Sequence, residues 1–356
     1  MTDPSPLDAE DLRTRVQKAL DDFLSRQAGV LDAISDDLSP LMESLTDLIR
    51  GGKRLRPAFC YWGWRGAGGP DDARVVEVAA SLELFQAAAL LHDDVMDGSD
   101  TRRGMPAAHR RFAALHRGNA WLGSSEDFGV AGAILAGDLC LSWCDEMYAG
   151  SGLAAEELAR GRDVFDRMRT ELMCGQYLDM LEQVLASTSV ERARHVIHYK
   201  SAKYSVQQPL LLGGSLAGAS PALAELYADY GLALGEAFQL RDDVLGVFGD
   251  PAETGKPAGD DLREGKRTVL MAETLDRASP AQAALVRRSL GDPGLDAAGV
   301  DRLREVITDT GALDVVEGMI TRLSVQARAV LGTPLLDPVA RDVLDGLVDA
   351  ATARSV

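Results

Sequence analysis

The sequence predicts an all-α protein, a bundle of helices packed around a buried centre. Three observations predict it. Ala and Leu abound while aromatic residues are only 5% of the 356, a balance that favours helix over sheet. Apolar residues recur at three- and four-residue spacing along most of the chain. No stretch alternates as a half-buried strand does, and no 20–50-residue repeat is visible.

The elements follow in order. Residues 1–8 read as a loose tail on a single domain spanning 1–356. From Ala9 the series Leu12, Val16, Leu20, Phe23, Leu24 marks an amphipathic helix. A second runs from about Pro40 to Ile49 and stops at Gly51 and Gly52. Helix resumes from Leu55 to Trp64 and breaks over Gly66–Pro70. Residues 71–98 predict a long helix with Gly98, Gly104 and Pro106 at its exit. Residues 115–128 read as a loop. Helices are expected at about 129–149, 154–185, 189–201, 202–218 and 221–248. The segment 249–268 is rich in Gly, Pro and charge and predicts an ordered loop of the kind found near functional sites. Helical pattern then runs to the C-terminus, with breaks near Pro280, Pro293 and Pro334.

Bulk charge narrows the function. Lys and Arg number 37 against 55 Asp and Glu, a net charge of −18. Such a chain is a poor partner for nucleic acid or an anionic membrane surface. It suits an anionic substrate only where metal ions or a local basic patch reverse the field. The four cysteines lack the paired spacing of a zinc site, and Cys140 and Cys144 read as buried apolar residues. The acidic N-terminus is unlike a signal or transit peptide. Asp138 interrupts the best apolar run, so no bilayer span is expected. The expectation is a cytoplasmic protein without stable membrane insertion.

Two acidic clusters carry the chemistry. In LLHDDVMDGSDTRRG (90–104), Asp93, Asp94, Asp97 and Asp100 fall within eight residues at the end of an apolar helix. Asp93 and Asp97 are four apart and share a helical face, where like charges repel. In FQLRDDVLG (238–246), Asp242 and Asp243 again end an apolar helix. Two such helices facing each other would project carboxylates into one cavity. Mg²⁺ suits that donor set, because it prefers oxygen and is held by one or two carboxylates plus substrate phosphates and water. Basic elements complement the clusters: Lys53, Arg54 and Arg56 in GGKRLRP, Arg102 and Arg103, then Lys200, Lys203, Lys256, Lys266 and Arg267.

In order, the chain carries GGKRLRP (51–57), Gln86 seven residues before DDVMD, RRG, GQYLD (175–179), YKSAKYS (199–205), FQLRDD and GKPAGDDLREGK (255–266). This series resembles the trans-isoprenyl diphosphate synthases, over about residues 40–270. The resemblance implies the all-α isoprenoid-synthase fold, a homodimer, and Mg²⁺, three ions per active site. It implies metal ligation by Asp93, Asp97 and Asp242, with Asp94 and Asp243 in support. Lys53, Arg56, Gln86 and Arg103 then match the isopentenyl diphosphate site. Arg102, Lys200 and Lys256 match the allylic diphosphate site, with Lys266 nearby. Ser201 and Gln239 fall near the reacting carbons, and Gln176 and Asp179 near the metals. One departure stands out: the second motif, DDxxD in the family, is DDVLG here, with Gly246 in the last place. Metal binding on the Asp242 side is therefore expected to persist but to weaken.

The implied reaction joins isopentenyl diphosphate to an allylic diphosphate. Ionisation leaves a carbocation and a highly charged diphosphate, so preplaced cations are the main catalytic device. The growing chain is expected to run back along the Asp93 helix. Ala89 is one turn upstream, Ala88 is beside it, and Phe85 is two turns upstream, about 6 Å and about 12 Å from Asp93. Small residues near the mouth and Phe85 as a floor predict a C20 product, geranylgeranyl diphosphate, with Met173 and Leu135 as further candidates to set length. Farnesyl or longer (C25 and above) products stay open, as does a class I terpene cyclase on the same fold. A regulatory subunit would have lost its aspartates, and a di-iron bundle needs Glu-x-x-His pairs that are absent here.

Overall fold

The computed structural model describes residues 6–250 and 259–352, so Lys256 lies outside the described residues. The all-α expectation holds. The first helices are α1 (Leu12–Asp32), α2 (Ser39–Ile49), α3 (Leu55–Gly66) and α4 (Ala73–Asp97). They are followed by α5 (Ala108–Gly118), α6 (Ser125–Ala149), α7 (Ala155–Leu185) and α8 (Val190–Val196). α8 runs into a π-helix over Ile197–Gln207 and then into α9 (Gln208–Ala217). α10 (Pro221–Phe248) crosses the molecule, and a one-turn α11 (Asp260–Glu264) returns beside it. The C-terminal layer is α12 (Val269–Arg277), α13 (Pro280–Ser289), α14 (Ala297–Asp309), α15 (Ala312–Val330) and α16 (Pro338–Thr352).

Two expectations about elements need correction. The loop expected over 115–128 contains the end of α5 and the start of α6. α5 forms because His109, Phe112, Ala113 and His116 lie on one face and are buried, chiefly against α6; the two histidines disguise an apolar stripe. The break expected near residue 201 does not exist, because the chain stays helical from Val190 to Ala217. The only strands among the described residues are a two-residue antiparallel pair, Thr101–Arg102 with Met105–Pro106, which turns the chain after α4.

α4 is the central helix. Asp72 caps it by accepting from the Arg74 N–H at 2.8 Å, and Gly98 ends it in a left-handed conformation at φ 67°. Between them Val75, Ala79, Leu82, Phe85, Ala88 and Leu91 are all but inaccessible. A large N-terminal core binds α1, α3, α4, α6, α9 and α16, and a second core gathers around α12, α14 and α15. α10 contributes Tyr227, Tyr230 and Leu234 to the first and Leu240, Val244 and Val247 to the second. It thus ties together the two bodies that flank the cavity.

The expectation that no helix could span a bilayer also needs correction. α4 and α6 both reach the length and hydropathy required. For α4 that apolar window is 72% buried in the protein, which identifies a core helix. For α6 it is only 39% buried, because Ile134 and Leu135 face outward.

Candidate active site

The ends of α4, α7, the π-helix and α10 converge on a cavity of about 1070 Å³. Its walls carry two opposed chemistries. One wall is the acidic end of α4. Asp93 accepts from Gln176 Nε2 at 2.9 Å and from Lys200 Nζ at 3.3 Å, and Arg102 stands 3.5 Å from its second oxygen. Burial alone would raise its pKa, but Lys200, Lys266 and Arg102 overrule that and hold the carboxyl well below the usual range. Asp97 goes the other way. Burial and the charge of Asp93 push it up to about 6. Asp94 is buried and paired with Arg102, so it fixes the arginine rather than facing the cavity.

The facing wall is α10 with α11. Asp242 and Asp243 both line the cavity. Asp243 is buried, accepts from Gln239 Nε2 at 2.7 Å, and is pushed well above the ordinary carboxylate range by that burial. Asp242 is the exposed member of the pair. Lys266 spans the walls, 3.5 Å from Asp97 and 3.0 Å from Glu264. Lys200 likewise bridges Asp93 and Asp179, the latter at 2.6 Å.

The cationic end is built on the loop before α3. Gly52, Lys53, Arg56, Gln86 and Arg103 all line the cavity. Arg56 donates to Ser205 Oγ at 2.7 Å and lies 4.1 Å above the Tyr204 ring. Arg103 is anchored on the Leu48 carbonyl at 2.8 Å. Sequence reasoning gave Arg54 no role of its own, but the structure gives it one. It sits in a left-handed conformation at φ 56°, is buried at the cavity wall, and pairs with Glu83 and the Ile49 carbonyl. That buried pair holds the loop that also presents Lys53 and Arg56 to the cavity. Arg267, expected only as one of the basic elements, lines the cavity, and so do Tyr204, Ser205, Asp260 and Asp261, to which sequence reasoning gave no role.

The π-helix explains part of the site. Its i→i+5 hydrogen bonding brings residues four and five apart into register, so Lys200, Ser201, Tyr204 and Ser205 all line the cavity. Glycines press it from both sides. A Cβ on Gly175 would meet Lys200 N at 2.4 Å, and one on Gly235 would meet the Ala202 carbonyl oxygen at 2.5 Å. Neither backbone contact can yield cheaply. Gly175→Ala should therefore displace the π-helix from α7, break the Asp179–Lys200 and Gln176–Asp93 contacts, and lower kcat by about 10²-fold, the usual result of an ångström-scale misplacement. Steady-state kinetics check this, and an unchanged kcat would refute it.

Of the chain-length candidates, Ala89 lines the cavity, with Leu90, Leu172 and Phe238. Ala88 and Phe85 are fully buried outside its lining, and Phe85 packs edge-on against Tyr204 with centroids 5.5 Å apart. Met173 and Leu135 are exposed, at 44% and 60%, and do not line it.

Buried polar atoms show what the cavity is suited to hold. Among the described residues, Nε of Arg56 and Nε of Arg267 are buried without a hydrogen-bond partner, and so is Oδ2 of Asp97. Orphaned guanidinium donors call for an anion, whereas the Asp97 oxygen already has the Lys266 ammonium 3.5 Å away. No three His, Cys, Asp or Glu side chains among the described residues converge tightly enough to hold a metal alone. The carboxylates of Asp93 and Asp242, which line the cavity, are oxygen donors of the kind a hard divalent ion takes with phosphate and water.

A helical bundle with cationic donors at one end of a half-apolar cavity and paired carboxylates at the other defines a class of enzyme acting on diphosphates with hydrocarbon tails. The chain belongs to the polyprenyl synthetase family, whose model matches residues 39–307. It is a prenyltransferase that performs chain elongation. It is 31% identical to a geranylfarnesyl diphosphate synthase of Aeropyrum pernix over 91% of this chain and 98% of that protein. It is 32% identical to a geranylgeranyl diphosphate synthase of Sulfolobus acidocaldarius over 73% of this chain and 74% of that one. A geranylgeranyl pyrophosphate synthase of Corynebacterium glutamicum, solved with isoprenyl diphosphate and magnesium, superposes with a TM-score of 0.92 at 43% identity, covering 97% of this chain and 98% of that one.

Proposed function

We propose that this enzyme condenses isopentenyl diphosphate with an allylic diphosphate to give geranylgeranyl diphosphate, using three Mg²⁺ per active site. The observation that carries the reading is one cavity lined by Asp93 and Asp242, from two different helices, together with Lys53, Arg56, Arg103 and Arg267, two of whose guanidinium nitrogens, Arg56 Nε and Arg267 Nε, are buried without a hydrogen-bond partner. Asp93, Asp97 and Asp242 would hold the ions, which when bound neutralise charge on the departing diphosphate.

This chain's residues do the rest. Arg102, Lys200 and Lys266 face the allylic diphosphate, so charge developing as its C–O bond breaks meets cations already in place. Lys53, Arg56, Arg103 and Gln86 hold isopentenyl diphosphate, whose double-bond electrons form the new C–C bond at the vacated allylic carbon. Holding two reactants in line is worth roughly 7–11 kcal/mol. The proton lost when the double bond re-forms passes to the released diphosphate, whose oxygen has taken up the electron pair of the broken C–O bond. Leu90, Leu172 and Phe238 shield the cation from water. Small Ala89 leaves the wall beside α4 open, which favours the C20 chain.

The deciding assay incubates purified protein with Mg²⁺, isopentenyl diphosphate and each of the C5, C10 and C15 allylic partners, then sizes the prenyl alcohols. A C20 alcohol that requires isopentenyl diphosphate is expected. Turnover of the allylic partner alone would reassign the protein as a cyclase.

The reading includes a homodimer formed through α6 and α7. These helices are tied together where Asp145 meets Arg162 and Arg169, each at 3.1 Å. They expose Phe128, Ile134 and Leu135 on one, and Met173, Tyr177, Met180 and Val184 on the other. So much outward apolar surface is the mark of an interface. Light scattering should give twice the 38.0 kDa chain mass, and Ile134→Glu/Leu135→Glu should give the monomer; a wild-type monomer would refute the interface. Four unpaired cysteines suit the cytoplasm, where thiols stay reduced.

A further inference from the structure

The second acidic motif ends in glycine, yet the space a side chain would take there is filled. A Cβ built on Gly246 would lie 1.9 Å from Oδ2 of Asp261, 2.6 Å from its Cγ and 3.2 Å from its Oδ1. All three nearest atoms belong to one carboxylate, and it is carried by α11 rather than α10. Residue 246 is four positions beyond Asp242, so a side chain there would share Asp242's face of the helix. A carboxylate lying where that side chain would begin lies on the same face. Asp242, Gly246, Asp261 and Lys266 all line one cavity, and Lys266 Nζ stands 3.8 Å from Asp261 Oδ1.

We infer that Asp261 stands in for the carboxylate the second acidic motif lacks at Gly246, joining Asp242 in receiving the divalent cation on that side of the cavity. This rests on the reading that Asp93, Asp97 and Asp242 collect such cations. Two positions far apart in the chain then reach one space, and a side chain at 246 displaces the Asp261 carboxylate from where it now lies. Any side chain at 246 must push the Asp261 carboxylate aside, and because that group is the end of a side chain, it moves without breaking the helix.

The test uses Mn²⁺ as the probe, its free concentration followed by electron paramagnetic resonance, on the full chain with saturating inorganic pyrophosphate. Asp261→Asn, which keeps the shape, should raise the Mn²⁺ concentration that half-fills the weakest site by about ten-fold, the usual scale for removing one group from around a metal. Gly246→Ala should shift it in the same direction and add nothing in the Asp261→Asn background. The exchange Gly246→Asp/Asp261→Ala should bind more tightly than Asp261→Ala alone. A superimposable isotherm for Asp261→Asn, or an exchange variant no tighter than Asp261→Ala, overturns the inference. Asp242→Ala separates the two levels. Unchanged Mn²⁺ uptake in that variant overturns the cation reading itself. Lost uptake there, with wild-type uptake in Asp261→Asn, overturns the role of Asp261 alone.

Discussion

Asp93→Ala should lower kcat by roughly 10²–10³-fold, the scale of losing one preorganised electrostatic element, while far-UV circular dichroism stays that of the wild type. Asp93 is where three elements meet: it accepts from Gln176 on α7 and from Lys200 on the π-helix, with Arg102 beside it. Its side chain is 17% exposed and faces a cavity rather than packed hydrocarbon, so shortening it removes charge without emptying a core. The loss acts twice. One oxygen donor proposed for the divalent ion disappears, and Lys200 and Arg102 lose the carboxylate they pair with. Asp97 should respond as well, because part of its raised pKa comes from Asp93; without that neighbour it ionises more readily. A variant that keeps kcat within a few-fold of wild type would remove Asp93 from the chemistry.

Ala89→Phe should shorten the product from C20 to C15 with little loss of stability. Ala89 is one helical turn, about 6 Å, before Asp93, and it lines the cavity. A phenyl ring there enters open space rather than a packed core, so the cost of overpacking is avoided. Phe85→Ala is the converse experiment, and the structure complicates it. Phe85 is fully buried against Tyr204, so the variant should lose about 3–5 kcal/mol as it opens the wall towards longer chains. Chromatography of the dephosphorylated products decides both. A wild-type product distribution in both variants would show that neither position measures the chain.

Much of this site can be read along the chain. Asp93 and Asp97 are four apart on a helix, and Asp242 ends a second apolar helix, so local spacing places each carboxylate on a defined face. GGKRLRP, RRG and YKSAKYS announce cations by composition. What spacing does not show is direction and company. Arg54 lies between Lys53 and Arg56, yet it is buried and taken up by its pair with Glu83. Phe85 is in phase with Ala89 but outside the cavity lining, because Tyr204 comes between as a packing partner. α5 was illegible because His109 and His116 read as polar although they are buried.

The sequence by itself determined most of the helices other than α5, the two acidic tips and the order of the basic motifs, because each depends on residues within a turn or two of one another. Only the tertiary structure decided that Lys266 stands beside Asp97, that Gly175 and Gly235 clamp the π-helix, and that the carboxylate absent at Gly246 arrives from Asp261. Those are meetings between segments remote in the chain. They are set by how closely packed backbones approach, which no local pattern of residues records.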